Sequence, residues 1–205
     1  MYFVRPPSLM QKVFKDLTLN IPTNDKIIYL TFDDGPDPEV TTWVLDTLKK
    51  FDAKATFFCI GEKVQKHPEI FKQIIEDDHA VGNHTFNHLN GWKTKKEDYL
   101  KDLEKCAVLI DSKLFRPPYG KLAPQQYSII NKQYSIIMWD VLSGDFDKNT
   151  SVGKCLKNVT ANTKKGSIVV FHDNIKTKEK LYYALPEFLE NFAAKGFKFK
   201  AIVLR

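Results

Sequence analysis

Short apolar runs alternate along the chain with longer stretches whose apolar positions recur every three or four residues. The runs are β-branched and aromatic, which suits buried strands, and the longer stretches suit amphipathic helices. Strands are expected at 27–30, 55–60, 79–82, 113–116, 134–139, 167–171 and 197–204. Between them the spacing predicts helices over 39–51, with Val40, Val44, Leu45 and Leu48 inward, and over 68–76, with Ile70, Phe71, Ile74 and Ile75 inward. Pro68 fits a first helical turn, where its missing N–H has no partner to lose. Further helices are expected at 94–111, 124–132, 151–160 and 179–195, the last closed by Gly196. A short helix at 8–15 would precede the first strand.

Strand–helix alternation of this kind argues for a parallel sheet covered by helices. The polar residues that break the apolar pattern fall just after strands: Asp33-Asp34, His84, Arg116, Asp145 and His172. In an α/β barrel the working residues come from the C-terminal ends of several strands. An open doubly wound sheet would place them similarly. A closed or nearly closed, distorted (β/α) barrel of about seven strands is the preferred expectation. Residues 1–25 read as an N-terminal extension packed on a catalytic domain at 26–205.

Composition narrows this picture. An apolar share of 43% with 13% aromatics is that of a folded chain, and 205 residues suffice for one core. The formal charge of +6 is spread over the chain, mostly on lysines, so it marks no nucleic-acid footprint and suits a solvated surface or an acidic polymer. Cys59, Cys106 and Cys155 are far apart and odd in number, and read as free, buried thiols. The first 20 residues mix charges and prolines with apolar residues, unlike a signal peptide or a membrane span. The expected location is therefore cytoplasmic, or outside the cytoplasm if an export segment was trimmed. A monomer is expected.

The candidate chemistry starts at 29–36, where a strand runs into Asp33-Asp34-Gly35-Pro36. Neighbouring side chains on a strand point to opposite sides, so the two acids need not share a task. His84 and His88 are four residues apart; on one helical turn both imidazoles would grip one cation. Two histidines with one carboxylate, Asp33 or Asp34, form a three-ligand set that leaves a place for water.

Thr31-Phe32-Asp33-Asp34-Gly35-Pro36, His84-Thr85-Phe86-Asn87-His88 and Arg116-Pro117-Pro118-Tyr119-Gly120 resemble the first three motifs of the polysaccharide deacetylases. This is the group with the rhizobial chitooligosaccharide deacetylase (NodB) homology domain, carbohydrate esterase family 4. Val170-Phe171-His172 resembles the fifth motif. The resemblance implies a distorted (β/α) barrel and a metal-dependent hydrolase that removes acetyl from N-acetylated sugars. It implies Asp34, His84 and His88 as metal ligands, Asp33 as general base and Arg116 as the group that holds it. It further implies Tyr119 as the donor of a backbone N–H to the oxyanion, His172 as general acid and Asp145 as its support. Where the family has Asp-Trp, this chain has Asp145-Phe146, and Val170 replaces the family's Leu. Both changes touch the substrate-binding wall and leave the proton chemistry in place.

The chemistry asks for this equipment. An amide is a poor electrophile and an amine a poor leaving group. A divalent metal polarises the carbonyl and acidifies water, a carboxylate takes the proton, and a histidine can protonate the departing nitrogen near neutrality. Zinc is the first expectation for the metal, with cobalt, nickel and manganese open. Two alternatives to the N-deacetylase are an amidase for a small cyclic amide or imide and a sugar-binding pseudoenzyme. The latter would be expected to have lost Asp33 or His172. His67 and His79 read as structural or solvated. Trp43, Trp92 and Trp139 could stack on sugars, with core packing the default for Trp139.

Overall fold

A computed structural model describes residues 4, 5 and 17–203. The short helix expected at 8–15 and the final residue of the last expected strand lie outside the described residues. In chain order the elements are β1 (Ile27–Asp33), α1 (Val40–Lys50), β2 (Ala55–Cys59), α2 (Gly61–Lys66), α3 (Pro68–Glu76), β3 (Ala80–Asn83), α4 (Lys96–Ala107), β4 (Leu114–Phe115), α5 (Pro124–Ile130), β5 (Ser135–Ile136), β6 (Val141–Leu142), α6 (Val152–Asn162), β7 (Ile168–His172), α7 (Lys178–Ala194) and β8 (Lys198–Phe199). A single 3₁₀ turn covers Pro118–Gly120.

Seven strands pair in the order β5-β4-β3-β2-β1-β7-β6, and β8 pairs with β1. Every strand pair among the described residues is parallel. The sheet curls into a (β/α) barrel that stays open between β5 and β6, since no pairing joins them among the described residues. Residues 17–21 lie along that seam. Thr18 exchanges backbone hydrogen bonds with Ile136 and Met138, and Ile21 N–H donates to Gly166 C=O at 2.9 Å.

β1 sits at the centre, and its two faces do different work because side chains alternate. Ile28, Leu30 and Phe32 belong to the large core shared with α1 and α7. Phe32 stacks between Phe57 and Phe171, with ring centroids 5.1 and 6.2 Å away. The opposite face carries Tyr29, Thr31 and Asp33 into the barrel. There Tyr29 packs with Phe58, Ile137 and Ile168. Parallel pairing brings strand ends to one rim, where Asp33 lies in register with Phe58 and His172, and Cys59 with Asn83.

Two regions depart from the sequence reading, and a third settles a point it left open. Gly61 does not simply end a strand; it opens α2. The expected strand at 134–139 shortens to β5, and β6 forms separately beyond Trp139. The stretch 84–88 is a loop and not a helical turn, with Thr85 and His88 at φ 62° and 55°.

Candidate active site

The rim gathers the residues singled out above into one cleft of about 400 Å³. Asp33, Asp34, His84, His88, Tyr119, Phe146, Val170 and His172 line it, together with Gly120, Lys121, Trp139 and Leu142. Arg116 and Asp145 stand just behind and are fully buried. Of the six described non-glycine residues with positive φ, four belong to this rim: Asp34, Thr85, His88 and Tyr119. Such backbone costs energy and persists only where surrounding contacts fix it.

Arg116 enters from the end of β4 and reaches β1 across the barrel. Its Nη1 donates to Asp33 Oδ1 and to Thr31 Oγ1, both at 2.7 Å. Its Nε and Nη2 donate to the Ile137 and Met138 carbonyls at 3.0 and 2.7 Å. The guanidinium also lies over the Phe58 ring, 4.1 Å from its centroid. A buried arginine is tolerated because its N–H groups are satisfied in this way and its charge is matched. Burial lowers its pKa from the ordinary value, with Asp33 opposing that shift.

Asp34 points the other way, toward the two histidines. Its Oδ1 lies 3.1 Å from His88 Nε2 and 3.6 Å from His84 Nε2. Its Oδ2 accepts from Asn174 Nδ2 at 2.9 Å. His84 Nδ1 is 2.7 Å from the Arg116 carbonyl. A carbonyl only accepts, so that nitrogen carries the proton, and in the neutral ring Nε2 presents a lone pair toward Asp34. Burial pushes the Asp34 carboxyl up, but its histidine neighbours, His84 and His88 first and His172 after them, outweigh it and hold the group well below the usual carboxylate range.

These residues fit a divalent cation. One atom from each of Asp34, His84 and His88 lies within 4.8 Å of the others. Asp34 Oδ1 is buried without a hydrogen-bond donor. An anionic oxygen and an imidazole lone pair turned toward each other repel, and a shared cation resolves that.

The loop that supplies the histidines is built by groups the sequence reading passed over. Asp102, on α4, accepts from the backbone N–H of Phe86 and Asn87 at 2.8 and 2.9 Å, and from the Asn87 side chain. Asn83 Oδ1 takes the Thr85 N–H at 2.8 Å, while its amide donates to Leu103 C=O. These bonds replace helical ones, which is why 84–88 does not coil. On the other side Asp173 accepts from Gly35 N–H at 3.0 Å and from Thr41 Oγ1 at 2.5 Å, fixing the turn after Asp34. Burial raises the Asp173 carboxyl to about 7.

His172 ends β7 opposite Asp33. Its Nδ1 is 2.8 Å from Asp145 Oδ1, and its backbone N–H donates to Asp145 Oδ2 at 2.8 Å. Burial disfavours the imidazolium, but the Asp145 charge and hydrogen bond outweigh this, and Asp34 and Asp33 add to them, raising the pKa to about 10. Phe146 meets the His172 ring edge to face at 5.3 Å and is 44% exposed. Tyr119 rests against His88 at 4.6 Å. Val170 lies buried on β7 beneath His172.

The remaining expectations resolve simply. His79 is buried and takes the Ala55 N–H on Nδ1 at 3.1 Å, with burial pushing its pKa down to about 4. His67 sits 3.7 Å from Glu69. Cys59, Cys106 and Cys155 are free and buried. Trp43 stacks on Tyr182 away from the cleft. Trp139 packs against the core and also forms cleft wall.

A curled parallel sheet with carboxylates and imidazoles assembled at the strand ends defines an α/β-barrel protein with its cleft at the C-terminal rim. The polysaccharide deacetylase family model matches residues 20–134, and the chain belongs to that family. It is 35% identical over 193 residues to a peptidoglycan-N-acetylglucosamine deacetylase of Bacillus cereus, covering 91% of each chain. It is 34% identical to a chitooligosaccharide deacetylase of Azorhizobium caulinodans, over 78% of this chain and 79% of the other. A crystal structure of the Bc1960 peptidoglycan N-acetylglucosamine deacetylase, bound to a naphthalenyl N-hydroxybenzamide, superposes with a TM-score of 0.87. The two are 32% identical, over 96% of this chain and 95% of that one.

Proposed function

We propose that the protein is a metal-dependent hydrolase that removes N-acetyl groups from N-acetylglucosamine residues of a glycan strand. The observation that carries this reading is the pairing of Asp33 with Arg116 and of His172 with Asp145 in the same cleft as the Asp34, His84 and His88 set. That is a proton acceptor and a proton donor beside one ligand set. The site residues that the resemblance implied, from Asp33 to His172, are proposed in the same roles.

A divalent cation held by Asp34, His84 and His88, zinc first among the candidates, would polarise the amide carbonyl and acidify the attacking water. Asp33, paired with Arg116, takes the proton from that water. The Tyr119 backbone N–H binds the oxyanion, which a fixed donor favours over the planar ground state. His172, kept protonated by Asp145, delivers a proton to the departing nitrogen. Trp139, Leu142, Val170 and Phe146 form the apolar wall that confines the sugar. With a cell-wall polymer as substrate, as the relatives' names suggest, the working location is outside the cytoplasm, the second of the two that the sequence left open. No described helix is long and apolar enough to cross a membrane.

The test is elemental analysis of purified protein together with acetate release from N-acetylglucosamine oligomers. One divalent ion per chain is expected, and His84→Ala should lose both ion and activity. Equal metal content in the two proteins would remove the proposed ligand set.

A further inference from the structure

We propose that Trp92 and Lys121 form a second sugar-binding subsite beside the cleft, which takes a neighbouring glycan ring bearing a carboxylate. This rests on the deacetylase reading and narrows its substrate to an anionic glycan.

Trp92 is 67% exposed, yet it is held in place. Its indole N–H donates to the Leu122 carbonyl at 3.3 Å, and its backbone N–H to Asn90 Oδ1 at 3.0 Å. Beneath it, the buried Gln126 ties two loops together. Its Nε2 donates to the Gly91 and Thr94 carbonyls at 3.0 and 3.1 Å, and its Oε1 accepts from Ala123 N–H at 3.0 Å. The loops touch so closely that a Cβ on Gly91 would come within 2.4 Å of the Lys121 carbonyl oxygen. A buried amide satisfied three times over thus fixes an indole that is largely exposed. A platform fixed in advance loses little entropy when a ligand covers it.

Lys121 links this platform to the cleft. Among the described residues it is the only lysine or arginine lining the cleft. Its ammonium lies over the Trp92 ring, 5.1 Å from its centre, and makes no ion pair among the described residues. Aromatic faces take the C–H face of a sugar, and a lysine with no carboxylate of its own is a ready partner for one on the ligand. Tyr119, two residues before Lys121, is 60% exposed and continues the row toward His88. The net charge of +6 favours approach of an anionic polymer along it.

The test uses β-1,4-linked N-acetylglucosamine dimer and tetramer, and a tetramer carrying lactyl carboxylates on alternate rings. Acetate release is measured with wild type, Trp92→Ala, Trp92→Phe, Lys121→Gln and Lys121→Arg, each loaded with metal. Trp92→Ala should lower the tetramer-to-dimer ratio of kcat/KM about tenfold, through KM, as loss of an aromatic anchor does. Trp92→Phe should restore most of it. Lys121→Gln should lower the ratio of anionic to neutral tetramer up to about fivefold, the size of an exposed ion pair. Arg should restore that ratio, and 1 M salt should erase the difference. Ratios that stay at wild-type values in Trp92→Ala and Lys121→Gln would overturn the subsite. If wild type releases no acetate from any oligomer, the deacetylase reading fails by itself. Calorimetric titration with the anionic tetramer then decides the subsite: tighter binding by wild type than by Trp92→Ala upholds it, and equal or absent binding overturns it.

Discussion

Asp33 and Asp145 each hold a cationic partner at hydrogen-bond distance, Arg116 at 2.7 Å and His172 at 2.8 Å. Both pairs stand at strand ends in one cleft, and both acids are buried. They differ in which member can change its proton. Arginine stays charged at any working pH, so the Arg116 pair has its variable proton on the carboxylate side. Histidine titrates, so the Asp145 pair has its variable proton on the imidazole side. Asp145 also spends its second oxygen on the His172 backbone, which ties ring and main chain to one carboxylate. In the proposed reaction the first pair presents the proton acceptor and the second the proton donor. Equal geometry therefore gives opposite chemistry, decided by which side chain is permanent.

Breaking the first pair should have the largest effect. With the acceptor gone and the ligands intact, Asp33→Asn should lower kcat by about 10²–10⁴, the usual worth of a general base. Metal content by elemental analysis should stay at the wild-type level. Loss of metal in this variant would mean that Asp33 and Asp34 have exchanged roles.

Breaking the second pair should change the pH profile before anything else. The pKa of His172 is raised to about 10, above the unfolded value of about 6.5. The stability that its charged form supplies is therefore complete below about 6.5 and is lost as pH climbs toward 10. A cation beside Asp34 cancels part of the pull from that side, so the alkaline limb of kcat/KM should fall at or below 10. Asp145→Asn should move that limb down by about one pH unit or more. An unmoved limb, followed by acetate release across pH 6–10, would exclude His172 as the proton donor.

Sharpening the comparison means separating proton chemistry from the scaffold under it. Asp102 touches neither pair, but it fixes the loop carrying His84 and His88. Asp102→Asn should weaken metal affinity about tenfold, in the range of outer-shell substitutions. Competition with a chelator would read this, and turnover of the saturated enzyme should change far less. Unchanged affinity would show that Asn83 alone suffices to hold the loop. The smallest effect is expected at Phe146, which edges against His172 on the cleft wall. Phe146→Trp should alter relative kcat/KM among N-acetylated oligomers by about 1 kcal/mol, at the low end of pocket contacts. Metal content and pH profile should remain as they were. Identical ranking across the oligomer panel would take Phe146 out of the substrate wall.

The central strands were legible because β1, β2 and β7 are continuous apolar runs, buried on both faces. The flanking strands were less so. At β4, β5 and β6 only two residues each pair with neighbours, and the rest of each run is occupied otherwise: Ile137 faces Thr18, and the Ile137 and Met138 carbonyls serve Arg116. Pattern reports burial, and these residues are buried without being strand. Asp33, Asp34, His84, Arg116, Asp145 and His172 stood out because they follow the apolar runs, and the structure gathers them at one cleft. Asp102 and Asn174 were missed, although Asp102 left a signal. It shares the buried stripe of α4 with Tyr99, Leu103 and Cys106, where an acid without a purpose would be costly. Whether 84–88 coils was left open by the sequence; it stays a loop because side-chain acceptors capture the backbone N–H groups.

The segment along the open seam has a consequence for the order in which the molecule is completed. Thr18 and Ile21 bond to groups around Ile136 and Gly166. During synthesis at about 5–20 residues per second, Ile21 is made about 7–30 s before Gly166 exists. Through that interval its amide has only water, or a temporary partner, to bond. A stretch near the start of the chain is therefore among the last to find its native place, and it finds it only when both borders of the seam are standing.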